Sequence, residues 1–361
     1  MTEVPPLGVH LRRTDENVRE IAALDTLLGG PVGVDGVLAD LNRQARRTFL
    51  LGRWRLGRAV DWGFAFDRQD RGDERWWPQG ISTSADASDT EDIGGKHVLA
   101  VSWYAKDESG VRVTFVDLAS LRYRHVLLVV PVLDEHGMLV LRPLRVHAGG
   151  IVWNGPYLHV AATARGLMTC KVDDIMRVPD VRGTRAYRLG LRGQQVASHG
   201  YRYVLPVRFS YRAYADDGFT RLRYSFLSLD RSADPPAIVA GEYGRTGQTT
   251  RLARYHLEPD TLMLHSGEDG LSRPIGVDEG GVSRMQGASI VDGRYHVTVS
   301  HGPWKPGSVY VGTPGDLVEH RFATPMGPED IAYWPSTERF WSVSEHPHRR
   351  WVFSMKRSYF D

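Results

Sequence analysis

The segment Gly150-Ile151-Val152-Trp153-Asn154-Gly155-Pro156-Tyr157-Leu158-His159-Val160 places two apolar runs on either side of an Asn-Gly pair. Asn and Gly both tolerate the positive φ that a type I′ hairpin turn demands at its two central positions, so the segment reads as strand, tight turn, strand. The pattern returns at residues 288–297 around Asp292-Gly293 and at 330–343 around Pro335-Ser336-Thr337-Glu338. Two further segments share the opening but carry longer loops: residues 77–82 leading to 97–103, and 205–210 leading to 222–230. Each of these five hairpins is followed by one or two more β-like runs, such as 111–117 and 125–132 after the first.

Repeated antiparallel sheets of about four strands predict an all-β chain, a five-bladed β-propeller, because that fold arises by radial repetition of four-stranded blades. A two-sheet sandwich is the competing architecture, and it does not call for five similar hairpins. The last repeat runs out at Trp351-Val352-Phe353-Ser354-Met355, one strand short. A strand from within residues 48–66 is expected to supply the missing edge, close the ring and hide an unpaired strand.

Residues 1–50 differ. Thr14-Asp15 offers an N-cap, and Val18, Ile21, Ala22, Leu24, Leu27 and Leu28 recur at near-helical spacing until Gly29-Gly30. A second helix is expected over 34–50, with Arg43, Arg46 and Arg47 on its solvated face. The domain reading is therefore a short N-terminal helical extension, 1–50, and the propeller, 51–361.

Of 361 residues, 45 are Lys or Arg, five of them Lys, and 43 are Asp or Glu, for a net charge of +2. No overall basic field favours nucleic acid. The single Cys170 excludes disulfides and Cys-rich metal sites and reads as a small buried hydrophobe. No 18 apolar residues run together and the acidic N-terminus lacks a continuous apolar region, so a cytoplasmic protein without a membrane segment is expected.

The phrases Trp77-Pro78-Gln79-Gly80, Val146-His147-Ala148-Gly149-Gly150, Met285-Gln286-Gly287-Ala288, Gly327-Pro328-Glu329-Asp330 and Ser344-Glu345-His346-Pro347 together resemble a family of uncharacterised actinobacterial proteins, often described as secreted. The similarity spans roughly residues 61–360. It implies no substrate and no catalytic residue.

GxSxG, HExxH and strand-linked GxGxxG motifs are absent, and Gly244-Arg245-Thr246-Gly247-Gln248-Thr249-Thr250 lacks the lysine of a phosphate loop. In a propeller, polar groups converge where the inner strand of each blade opens. Aligning the hairpins puts Gln79, Gly149, Val207, Gln286 and Glu329 at one level, with His147 on the same face as Gly149. Buried amides and carboxyls must satisfy one another, hold water or hold a ligand. A calcium or other hard cation on the axis is a minor alternative, since such sites gather more carboxylates. A second ring is expected where second strands end: Trp103, Arg165, Asp230, His301 and Glu345, which could equally serve as interblade salt bridges.

His301 and Glu345, from adjacent blades, make a plausible proton-transfer pair, with Asp230 alongside. Arg165 is a fork for substrate oxygens. Trp304 sits in a Gly/Pro loop that has no reason to show an indole unless something packs on it, and Trp103 walls off water. His346 and His348 read as a turn rather than a metal clip. The sequence thus predicts a cofactor-independent enzyme acting on a small molecule by acid–base chemistry, with Gln79, His147, Gln286 and Glu329 binding substrate and no metal. The alternative is a non-catalytic saccharide- or protein-binding propeller.

Overall fold

A computed structural model describes residues 8–48, 56–180, 188–193 and 195–361. The expected boundary at 50/51 lies outside the described residues. The chain is mostly β, 50% strand and 11% helical. Among the described residues no helix is long and apolar enough to cross a membrane.

Antiparallel four-stranded ladders follow one another along the chain. The first runs Trp76–Thr83, Val98–Ala105, Val111–Asp117, Arg122–Leu133. The second is Ile151–Asn154, Tyr157–Ala161, Gly166–Lys171, Tyr203–Ala215. Next come Phe226–Asp230, Ala237–Gly241, Leu252–His256, Gly276–Asp278 and Met285–Val291, Arg294–Val299, Pro306–Thr313, Asp316–Met326. The last is Pro328–Trp334, Arg339–Ser344, Trp351–Lys356, completed by Val60–Ala65 from the start of the chain. Val352 lies opposite Phe64 and Trp351 opposite Ala65, so the early strand covers the edge that the last repeat leaves open. The first two ladders merge through a short parallel contact of Val204–Pro206 with Leu127–Val129, giving a 13-stranded sheet.

The strand that opens each ladder touches the openers of its neighbours in a closed order. Trp76–Thr83 meets Ile151–Asn154 and Pro328–Trp334; Phe226–Asp230 meets Ile151–Asn154 and Met285–Val291; Met285–Val291 meets Pro328–Trp334. Their approach is close enough to dictate residue type. A Cβ on Gly80 would lie 2.7 Å from Ile151 N, one on Gly150 2.1 Å from Leu227 N, and one on Gly287 2.6 Å from Ile331 N. At the matching position of the last ladder stands Asp330, fully buried, whose Oδ2 accepts from Ile81 N at 3.2 Å and Ile151 N at 3.3 Å. Hydroxyls on neighbouring strands add cross-links: Ser102 Oγ accepts from Gly80 N and donates to Ala148 O, both at 2.8 Å, and Thr298 Oγ1 donates to Glu329 O at 2.7 Å. Apolar residues fill the spaces between ladders, among them Trp103, Trp153, Trp334 and Phe115, each nearly or fully buried.

Two expectations need correction. Residues 205–210 and 222–230 do not form a hairpin. The first belongs to Tyr203–Ala215, the outer strand of the second ladder, and Phe226–Asp230 opens the third by pairing with Ala237–Gly241. The cause is the long excursion between Lys171 and Tyr203, which delays the closing strand of the second ladder past the point where the repeat spacing places it. Val207 therefore leaves the inner ring. The N-terminal segment is also less helical than its periodicity suggests. Val18–Leu28 is a helix ending at Gly29, whose φ of 81° gives a left-handed cap. The second helix spans only Gly33–Leu38. Beyond it, Arg43–Gln44 pairs with Arg122 and Tyr123 and Arg46–Arg47 with Phe64 and Ala65, so strand pairing overrides a weak helical preference. Val9–Arg13, upstream, pairs with Tyr211–Ala215.

Asp330→Ala strands two buried backbone donors and is expected to lower the free energy of unfolding by about 2–6 kcal/mol, at ~1–3 kcal/mol for each unsatisfied group. Asp330→Asn keeps an oxygen acceptor and should lose less than half as much. Urea unfolding of the two variants checks the order.

Candidate functional site

The opening strands are bulged at equivalent places. Register slips between Pro78 and Ile81, between Met285 and Gly287, and between Pro328 and Ile331. These slips lift Gln79, Gln286 and Glu329 out of the ladder hydrogen bonding and turn their side chains toward one mouth of the ring. Re-aiming a side chain is what a bulge does physically. At that mouth Gln79 Nε2 donates to Glu345 Oε2 at 3.2 Å, and Gln286 Nε2 donates to Glu329 Oε1 at 3.0 Å. The carboxyls of Glu329 and Glu345 hydrogen-bond each other. Glu329 is 2% exposed, and the Glu345 side chain, 18% exposed, is the open member.

Burial raises both carboxyls. For Glu329 the neighbouring charges of Glu345 and Asp330 and the bond to Glu345 push further up. For Glu345 the opposing influences are the Gln79 amide, Lys106 and Arg350. Two carboxyls in contact cannot both ionise at low cost, and the stronger upward push falls on Glu329. Deeper in, burial also raises Asp330, and lifts Asp86 to about 6 despite its bonds to the Ser82 hydroxyl and Thr83 N. Acids thus run inward from the mouth, each disfavouring ionisation of the next.

The rim holds residues that sequence reasoning passed over. Tyr104, raised to about 12 by burial and by Glu345 and Glu329, packs against His147 with ring centroids 4.5 Å apart and planes tilted by 47°. His147 is open to solvent, but its surroundings push the imidazole pKa down. Lys106 Nζ lies 3.2 Å from the Trp77 ring centroid, and His346 Nδ1 is 3.7 Å from Glu345 Oε1. Tyr104 and Lys106 follow Trp103 by one and three residues, on the strand end where the second ring was sought; that was the available signal.

The structure thus brings together Gln79, His147, Gln286, Glu329 and Glu345, and separates the other candidates. His301 does not pair with Glu345: its Nε2 bonds Ser308 Oγ at 2.9 Å and lies 3.7 Å from Glu319. Asp230 lies at the far end of an opening strand, away from the mouth, and accepts from Ser232 N and Oγ. Its displacement follows from the misplaced third hairpin. Trp103 is fully buried between Phe66 and His125 rather than on the rim. Arg165 is exposed in a groove between the first and second ladders. Trp304 is 76% exposed beneath the Arg349 guanidinium, 4.8 Å from its ring centroid. Cys170 is buried, and burial pushes its thiol up. Among the described residues no three His, Cys, Asp or Glu side chains are grouped to hold a metal ion.

A second polar centre lies outside the ring. Asp70 accepts from Arg112 at 3.0 Å, the Tyr123 hydroxyl at 2.7 Å and His125 Nε2 at 2.9 Å. Burial alone would raise the Asp70 carboxyl; His125, Arg112 and Arg43 reverse this and hold it well below the usual range. Burial and Arg112 push His125 down to about 4, so at neutral pH it is a neutral ring that takes the Thr114 hydroxyl at Nδ1. This centre clamps the short helix Arg68–Gly72 to the first ladder.

The raised carboxyls link stability to pH. The native state keeps protons that the unfolded chain releases above about pH 4.3, so stability falls as pH rises from there through the raised folded values. Glu329→Gln removes one such group, and the loss of unfolding free energy between pH 5 and 8 should shrink, measured by denaturant titration at both pH values.

No family model matches the chain, and no curated protein matches it. Solved structures similar to it include β-propellers. A gluconolactonase from Xanthomonas campestris is 13% identical, with 88% of this chain and 96% of that chain covered, at a TM-score of 0.35. A β-propeller domain from Myceliophteria thermophila is 10% identical, covering 78% and 97%, at 0.34. A GH43_1 enzyme from Xanthomonas citri is 12% identical, covering 77% and 86%, at 0.39.

Proposed function

We propose that the chain is a five-bladed β-propeller enzyme, related to the actinobacterial family its five phrases resemble, that acts on a small organic molecule by acid–base chemistry without a cofactor. The closed order of contacts between opening strands supports the blade count. The observation that carries the function is the hydrogen-bonded Glu329–Glu345 pair at the mouth, anchored by one amide on each side.

Glu345 is the catalytic base. Burial makes it more basic than a free glutamate, and it is the more exposed carboxyl of the pair. Glu329 is a positioning residue behind it: its carboxyl keeps its own proton and hydrogen-bonds Glu345 while Glu345 takes up the substrate proton and returns it. The Gln79 amide fixes the orientation of Glu345. At the rim Lys106 and the Tyr104 hydroxyl are the groups available to an oxyanion that develops when a substrate proton leaves for Glu345. The chemistry this suits is isomerisation, elimination or cyclisation, in which a proton is removed at one atom and returned at another. Glycoside cleavage suits it poorly: that reaction needs carboxyls about 5 Å or more apart with the sugar between them, and these touch.

Exchange of substrate C–H protons in deuterated water, followed by NMR over a panel of small carbonyl and hydroxy compounds, reads this activity without knowledge of the product. A compound whose exchange is accelerated by the wild-type protein should lose about 10²–10⁴-fold in Glu345→Gln. Its rate should fall at low pH as the pair gains a second proton and at high pH as it loses the first, both limbs belonging to the pair. Exchange unchanged in Glu345→Gln would instead favour a binding propeller.

A further inference from the structure

A groove of about 820 Å³ lies between the outer strands of the first and second ladders and the N-terminal segment. Its walls present Arg142, Arg145, Arg165 and Arg212, against one carboxylate, Asp15. Among the described residues Arg142, Arg165 and Arg212 have no carboxylate partner, and Arg145 approaches Glu108 only at 3.9 Å. The four arginines line this one groove. Arg165 reaches from the second ladder to the carbonyl of Arg145 at 3.4 Å, and Arg212 stands directly opposite Arg12 in the pairing of Val9–Arg13 with Tyr203–Ala215. Like charges facing one another across a ladder destabilise it, and exposed arginines are otherwise free to turn apart. Between the arginines the exposed apolar surface comes from Val130 and Met168, which are partly exposed above the buried Leu144, Val207 and Phe209.

We propose that this groove is a binding site for an amphiphilic anion, its apolar body on this apolar surface and its carboxylate or phosphate head between the arginines. The volume suits a ligand of drug-like size, and guanidinium forks match both head groups. Nucleic acid fits less well, because Phe209 is buried in the floor and offers no open face for a base to stack on. The site stands apart from the carboxyl pair, so either assignment can fail without the other.

Isothermal titration of the full chain at low salt, with octanoate and octyl phosphate below their critical micelle concentrations, tests the proposal. Octylammonium and inorganic phosphate serve as comparators. Saturable binding of at least one octyl anion is expected, at least tenfold tighter than inorganic phosphate, with no binding of octylammonium. The stronger of the two anions identifies the head group. Arg142→Glu/Arg212→Glu should weaken that binding at least tenfold with an unchanged circular dichroism spectrum; should that variant not fold, Arg142→Gln/Arg212→Gln should weaken it at least threefold. Absence of saturable binding by both anions, equal binding of octylammonium, or full affinity in a folded variant overturns the proposal.

Discussion

The Asp330 carboxyl, reaching across the axis to the backbone N–H groups of Ile81 and Ile151, is the contact on which the arrangement turns. Opening strands that converge on an axis leave backbone donors facing one another with no partner strand between them. Buried and unmatched, such donors are costly. One side chain satisfying donors from two other strands closes the ring where the ladders cannot. It also forces an acid into a dry place, and the raised pKa of Asp330 is the electrostatic consequence.

That convergence explains the site above it. Strands that meet this closely at Gly80, Gly287 and Asp330 do not keep regular pairing at this level, and the register slips at each of the three. The slip that relieves crowding also aims Gln79, Gln286 and Glu329 at the mouth. Packing and chemistry therefore share one cause: the geometry that lets the strands meet delivers the polar groups. Closing the last ladder with Val60–Ala65 then ties the start of the chain to its end, so the ring opens only by breaking a full strand pairing.

The hairpin repeat made the β architecture, the missing strand and much of the mouth legible. Asp292-Gly293, at φ of 49° and 74°, is a local signal with a steric mechanism, whereas the hairpin at 150–160 turns one residue later than expected, at Gly155-Pro156, with Asn154 paired to Tyr157. Of the two hairpins placed without a tight-turn signal, the one opening at 77–82 formed and the one opening at 205–210 did not. The excursion before Tyr203 displaced the third hairpin by one strand and took Val207 and Asp230 with it. His301 kept its place at a strand end, but Ser308 and Glu319 lie within its own ladder and captured its ring, a pairing no one-dimensional pattern registers. The Asp70 centre was invisible for the same reason. Its members, Asp70, Arg112, Tyr123 and His125, come from a short helix and two strands with no shared motif.

Arg350 shows how the fold keeps Glu345 reactive. Its guanidinium is buried beside Trp77 and Trp103, yet its hydrogen bonds go to backbone carbonyls, Nε to Glu345 O and an Nη to Asp70 O, both at 2.7 Å. A guanidinium on the Glu345 carboxylate itself would stabilise the ionised form directly and cancel the effect of burial. Held on the main chain, the cation fixes the turn that carries Glu345 and joins it to the Asp70 clamp, while only its longer-range field reaches the carboxylate. Burial prevails, and Glu345 remains a stronger base than an exposed glutamate. The cost falls on Arg350, which burial lowers to about 10. A group that starts above 12 can absorb that shift and stay charged at neutral pH, so arginine, rather than lysine or histidine, suits this position.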